Sequence, residues 1–120
     1  MALQTFRTRD GDCAVKPVLS IARNFSVHPG PRFIKQGPWS GEKFRKLLVD
    51  RLAQHDVIVV DLDGTRGYGS SFLDEAFGGL VRECILTADE VLRRIEIRSD
   101  EDPTYKAEAL EAIRKAEPKH

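Results

Sequence analysis

A chain of 120 residues allows a single domain, one large enough to bury about two-thirds of its unfolded surface. Hydrophobic residues make up 41% and charged residues 32%, which excludes a disordered chain. Nineteen Lys and Arg balance 19 Asp and Glu, so the global charge of a nucleic-acid binder is absent and nothing draws the chain to an anionic membrane.

Residues 1–16 are polar and without periodicity, and they read as a flexible leader. Arg7, Arg9, Asp10 and Asp12 leave no room for the apolar stretch of a secretory signal. No run approaches the ~20 apolar residues that span a bilayer. Cys13 and Cys84 stand at no metal spacing, so both are expected as free thiols, Cys13 exposed and Cys84 in the core. His28, His55 and His120 are scattered, and no metal or other cofactor is expected. The expectation is a cytoplasmic protein with one folded domain over 17–117.

Val18 to Arg23 opens that domain as a short apolar run and predicts a strand. Residues 24–40 are rich in turn signals, among them His28-Pro29-Gly30-Pro31 and Gly37-Pro38, with Arg32-Phe33-Ile34 as a short edge strand. Ser40 is a good N-cap, and Phe44, Leu47, Leu48 and Leu52 follow at helical spacing, so a helix is predicted to about Ala53. Val57 to Leu62 is β-branched and apolar on both faces, the mark of a central parallel strand. Gly64, Gly67 and Gly69 punctuate a loop that ends at Ser70-Ser71.

Phe72, Leu73, Ala76, Phe77, Leu80, Val81 and Cys84 mark a second helix, with Ser71 and Asp74 spaced as a capping box. Gly78-Gly79 interrupts it at about 1 kcal/mol per glycine, which predicts a bend or a close approach. Thr87 to Glu90 starts a short helical turn, and Arg94 to Arg98 alternates as a strand with one solvated face. Pro103 suits the first position of a last helix carrying Tyr105, Ala109, Leu110 and Ile113 and ending near Pro118. The resulting order, βαβαβα, predicts an α/β domain with a mainly parallel sheet, right-handed crossovers and helices packed on it.

Two motifs suggest chemistry. Asp61-Leu62-Asp63-Gly64-Thr65 at the end of a strand resembles the nucleophile loop of the haloacid dehalogenase superfamily. That resemblance implies a magnesium-dependent phosphohydrolase with Asp61 as nucleophile and Asp63 as acid and base. The bland reading is a buried strand end followed by an Asp-Gly turn. The glycines at 64, 67 and 69 lead into a helix N-terminus, which suits a small anion or nucleotide, although Gly69 stands where a P-loop has lysine.

Over roughly residues 18–116 the chain also resembles a STAS-like family of bacterial proteins of unassigned function. The stretch Val57 to Val81 carries the resemblance, above all Ser70-Ser71-Phe72-Leu73-Asp74-Glu75-Ala76-Phe77-Gly78. Phe25-Ser26, Pro29-Gly30, Arg32, Ser40-Gly41-Glu42 and Phe44-Arg45 support it. The family is distantly similar to anti-sigma-factor antagonists, in which a partner kinase of histidine-kinase-type ATPase fold phosphorylates a serine at a helix start. The resemblance places Ser70 and Ser71 on that serine pair. Gly69 replaces an aspartate of the antagonist pattern and Phe72 a glycine.

The resemblance implies a non-enzymatic protein–protein interaction module in bacterial signalling, regulated through Ser71 or Ser70 and partnered with such an ATPase. Without a switch, the same serines are an N-cap and a turn residue. Asp63, Arg66 and Tyr68 are candidate partner contacts on an exposed loop, Arg66 and Tyr68 being of the types favoured in interface hot spots. Arg32 and Arg45 are further candidate anion or partner contacts, and are otherwise solvated surface. Phe72 and Phe77 are assigned to the core.

Overall fold

Leu19, Val60 and Ile97 lie side by side in a three-stranded parallel sheet, and the rest of the domain is arranged around that row. The structure is a computed structural model and describes residues 16–119. In chain order the elements are β1 (Val18–Ser20), α1 (Ile21–Asn24), α2 (Gly41–Leu52), β2 (Ile58–Asp61), α3 (Ser70–Leu73), α4 (Gly79–Arg82), α5 (Ala88–Arg94), β3 (Ile95–Arg98) and α6 (Pro103–Lys115). Between α3 and α4 the helix continues as a π-helical segment, Asp74–Gly78. The leader and Cys13 fall outside the described residues, except for Lys16, whose Nζ lies 2.9 Å from a Glu96 carboxylate oxygen.

The strand order is β1-β2-β3, so β2 is central and parallel to both neighbours, as its two apolar faces predict. Strand order follows chain order, and right-handed crossovers therefore return over one face of the sheet. On that face Leu19, Ile58, Val60, Ile95 and Ile97 meet Phe44, Leu48, Phe72, Phe77, Leu80 and Ile113 in one core. Each large side chain buried there contributes about 1.5–3 kcal/mol of hydrophobic stabilisation. The register puts Val18, Val59 and Glu96 together on the opposite face.

Local signals place most boundaries. The Ser40 hydroxyl accepts the Lys43 N–H at 3.0 Å and starts α2. Thr87 and Glu90 exchange side chain-to-backbone bonds of 3.1 and 2.8 Å, a capping box that starts α5. Asp102 accepts the Thr104 N–H at 3.1 Å, with Pro103 opening α6.

Three expectations are corrected. The first strand stops at Ser20 rather than running to Arg23. Ser20 Oγ accepts the Arg23 N–H at 3.1 Å and the Ser20 N–H donates to Asn24 Oδ1 at 2.9 Å, and these local bonds curl the chain into α1. Residues 32–34 form no edge strand; a 3₁₀ turn spans Ile34–Gln36, and the Phe33 N–H is taken by Gln36 Oε1 at 2.9 Å. Cys84 is exposed, not core, because α4 ends at Arg82 and the chain turns at Cys84 with φ of 60°. Beyond that turn the 3.6-residue spacing no longer applies.

Candidate functional site

The loop after β2 is built by its own carboxylates. Asp61 Oδ1 accepts the Asp63 N–H at 3.0 Å, an Asx turn at the end of the central strand. The two Asp63 oxygens accept the N–H groups of Asp100 and Glu101 at 3.1 and 2.9 Å. Glu101 in turn accepts the Gly64 N–H at 2.9 Å, so the loops after β2 and β3 are tied together. Gly64 has φ of 92°, a conformation that favours glycine. The second Asp61 oxygen lies 3.9 Å from Arg98 Nη1. Both aspartates of the Asp-x-Asp-Gly-Thr motif thus hold backbone N–H groups. Among the described residues no group of three or more His, Cys, Asp or Glu is placed to hold a metal.

Tyr68 is half-buried rather than displayed. Its hydroxyl donates to the Leu62 carbonyl at 2.7 Å, and its ring packs edge-on to Tyr105 at 5.0 Å between centroids. Burial, together with the negative charges of Asp61 and Asp63, pushes its phenol well above the usual tyrosine range. Arg66 is exposed, and its backbone N–H donates to the Val27 carbonyl at 2.8 Å.

Gly69, not Ser71, is the N-cap of α3, and no side chain caps the helix. The Gly69 carbonyl accepts the N–H groups of Phe72 and Leu73 at 3.1 and 3.4 Å. Ser70 and Ser71 are therefore the first two helical residues, Ser70 exposed and Ser71 half-buried. Asp74 closes no capping box, because its carboxylate is taken by Arg32 at 2.6 Å and Arg82 at 3.2 Å. A groove beside Ser70, between α3 and α6, is lined by Asp74, Glu108, Glu111 and Lys115 over Ala107 and Ala112.

Behind this helix start lies a network of ionic side chains. Glu75 is 4% exposed and accepts from three arginines. Arg45 pairs with its carboxylate and donates to its carbonyl at 3.1 Å. Arg32 and Arg82 reach the other carboxylate oxygen at 3.2 and 3.3 Å. Burial opposes ionisation of Asp74, but the hydrogen bonds from Arg32 and Arg82 outweigh it and hold the carboxyl below the usual range. The Asp74 partner, more than any other group, raises the Arg32 guanidinium above its ordinary value.

Arg45 is thus buried instead of solvated, and Arg32 is held inside the protein's own ion pairs. The glycine pair in the second helix has its reason here. A β-carbon on Gly79 would lie 3.1 Å from Arg45 Cδ, and one on Gly78 3.1 Å from the Ala112 carbonyl oxygen. The predicted close approach occurs, where the π-helical segment passes into α4. Sequence reasoning did not find Glu75 and Arg82 as partners of Arg32 and Arg45. Gly78-Gly79, three and four residues after an acidic residue on an apolar helix, was the available signal.

A family model described as a STAS-like domain of unknown function (DUF4325) matches residues 40–105, more than half of the chain. That span runs from the α2 cap through the candidate loop and β3 to the start of α6. No curated protein and no solved structure matches the chain. No helix among the described residues is long and apolar enough to cross a membrane.

Proposed function

Because the chain belongs to this STAS-like family, we propose that it is a non-enzymatic protein–protein interaction module of bacterial signalling, switched by phosphorylation at the start of α3. The partner in this reading is a histidine-kinase-type ATPase, and the contact face is the loop 64–71 with the first turn of α3. The observation that carries the reading is the exposure of Ser70, the first helical residue after a loop braced by Asp61, Asp63 and Tyr68. Ser70 is the more accessible hydroxyl and Ser71 the second candidate. Arg66 supplies a contact beside them, while Asp63 and Tyr68 shape the loop from behind.

The electrostatics give the switch a direction. A phosphoryl group adds about −1.5 to −2 charge and three acceptor oxygens. In the groove beside Ser70, Asp74 is balanced by Arg32 and Arg82, which leaves Glu108 and Glu111 against one lysine. A phosphate there adds like charge to a surface that a partner meets around a neutral hydroxyl. A loss of about 3 kcal/mol weakens binding by roughly two orders of magnitude. Modification at Ser70 therefore releases the partner.

Affinity capture of the tagged protein from its native cells, with mass spectrometry of partners and phosphopeptides, tests this reading. Recovery of a histidine-kinase-type ATPase, lost when Ser70→Asp and Ser71→Asp are introduced together, is the expected result. Recovery of the unphosphorylated protein alone overturns it.

A further inference from the structure

The segment before α2 turns large apolar side chains to solvent and is nevertheless firmly held. The carbonyls of Pro31 and Arg32 accept the N–H groups of Gly41 and Glu42 at 2.9 and 3.0 Å, and the Trp39 carbonyl accepts the Gly30 N–H at 2.9 Å. These bonds close residues 32–39 into a compact surface loop. Within it Gln36 and Gly37 donate to the carbonyls of Phe33 and Ile34 at 3.0 and 3.2 Å, and Glu42 Oε1 accepts the Ile34 N–H at 2.9 Å. The loop is ordered by backbone hydrogen bonds and by the Trp39 ring, which packs edge-to-face with Phe25 at 5.4 Å between centroids. Phe33, Ile34 and Trp39 remain 38%, 44% and 39% exposed.

Single exposed apolar residues need no explanation, but three on one short braced loop form a patch. Trp39 adds a second observation. Its φ is 60°, the left-handed region, where a bulky side chain is a genuine outlier. Backbone strain of this kind persists where the surroundings over-determine it, and it clusters at binding sites. The loop also lies before residue 40, outside the span that the family model matches.

The charge on this patch is positive. Lys43 Nζ lies 4.7 Å from the centre of the Trp39 ring, and Lys35 is exposed on the loop. The neighbouring Glu42 carboxylate is engaged by the Ile34 N–H, and Asp74 and Glu75 are engaged by Arg32, Arg45 and Arg82. Among the described residues neither Lys35 nor Lys43 has a carboxylate within ion-pair distance.

We propose that the loop 32–39 is a docking surface for an acidic segment of a partner protein. Apolar side chains of that segment meet Phe33, Ile34 and Trp39, and its carboxylates meet Lys35 and Lys43. Tryptophan is among the residues that dominate interface energetics, and a pre-braced loop loses little freedom on binding. Docking at this loop does not rest on modification of Ser70 or Ser71, although Arg32 of the same loop pairs with Asp74 beside Ser70.

The test is selection of a displayed library of random dodecapeptides on the folded full chain, with a Trp39→Ala/Lys43→Glu variant as counter-selection. The expected peptides carry Asp or Glu beside an aliphatic or aromatic residue. Trp39→Ala and Lys43→Glu should each weaken their binding by about tenfold or more, the scale of one lost hot-spot contact. Trp39→Gly relieves the left-handed strain, so it should melt cooperatively and still fail to bind, which separates lost docking from lost folding. Peptides without an acidic excess, or binding indifferent to Trp39 and Lys43, overturn the proposal. So does self-association abolished by Trp39→Ala, which would make the loop a contact between copies. Binding to phosphatidylserine vesicles abolished by the same change would make it a membrane contact and overturn the proposal too.

Discussion

Arg45 passes against the backbone of Gly79: a β-carbon at residue 79 would lie 3.1 Å from Arg45 Cδ and 3.2 Å from its Cζ. Through that gap the guanidinium reaches Glu75, pairing with its carboxylate and donating to its carbonyl at 3.1 Å. A glycine on one helix thereby makes room for an arginine on another, and the acid they share lies in the π-helical segment behind the candidate site.

Gly79→Ala should destabilise the fold although alanine is the better helix former. The helix-propensity gain is about 1 kcal/mol, whereas overpacking a tight site costs about 1–3 kcal/mol. The methyl group meets the guanidinium end of an ion-paired side chain, which cannot swing away without breaking its pair. Urea denaturation should show a lower midpoint, and an unchanged or higher midpoint would refute the packing argument.

Removing one partner of the buried pair should cost more than removing both. Glu75→Leu alone leaves Arg45 buried without a carboxylate, a loss of about 3–5 kcal/mol. Adding Arg45→Met should recover most of it, because an apolar pair of similar volume needs no charge balance. A double-mutant cycle by chemical denaturation measures this, and additive losses would show that the two residues are not coupled.

Asp74 gives stability a dependence on acid. Its folded pKa is held below the unfolded value by Arg32 and Arg82, against the opposing effect of burial. The contribution is therefore present above the unfolded carboxylate pKa of about 3.9 and is lost as pH falls through the lower folded value. Unfolding free energy should fall more steeply below about pH 4 in the wild type than in Asp74→Asn. Parallel curves would remove Asp74 from the account.

Tyr68 acts at the opposite end of the pH range. Its folded pKa is raised above the usual phenol value of about 10, so its contribution is complete below that pH and is lost as pH rises through the folded value. Tyr68→Phe deletes the 2.7 Å bond to the Leu62 carbonyl. It should cost about 1 kcal/mol at neutral pH and flatten the alkaline loss of stability. Denaturation at pH 7 and above pH 10 checks both expectations.

Much of the framework was legible one residue at a time. Ser40, Thr87 and Pro103 mark helix starts through bonds that span three residues or fewer, and β2 announces its central place by being apolar on both sides. The site was less legible, because its residues take their roles from partners far along the chain. Arg45 sits in the pattern of α2 between Phe44 and Lys46 like any solvated cation, and only Glu75, thirty residues on, makes it a buried one. Ser71 and Asp74 have the spacing of a capping box, but Arg32 and Arg82 outbid the helix terminus for that carboxylate. Cys84 carries the helical period of its neighbours past the point where the helix has ended.

By itself the sequence determined the α/β class and the order of the principal strands and helices, because periodicity, caps and breakers act over a few residues; the STAS-like family was legible in the motifs of Val57 to Val81. It also flagged Gly78-Gly79 as a place of bending or close approach, since two glycines inside an apolar helix need a steric cause. Only the tertiary structure decided which charges are spent inside the molecule and which face outward. Arg32, Arg45, Asp63 and Tyr68 turn inward to brace the loop after β2 and the helix behind it, while Ser70, Arg66 and the Trp39 loop remain open to solvent. Long-range ion pairs and backbone hydrogen bonds join residues from different crossovers, and that juxtaposition exists only once the sheet has brought the crossovers together.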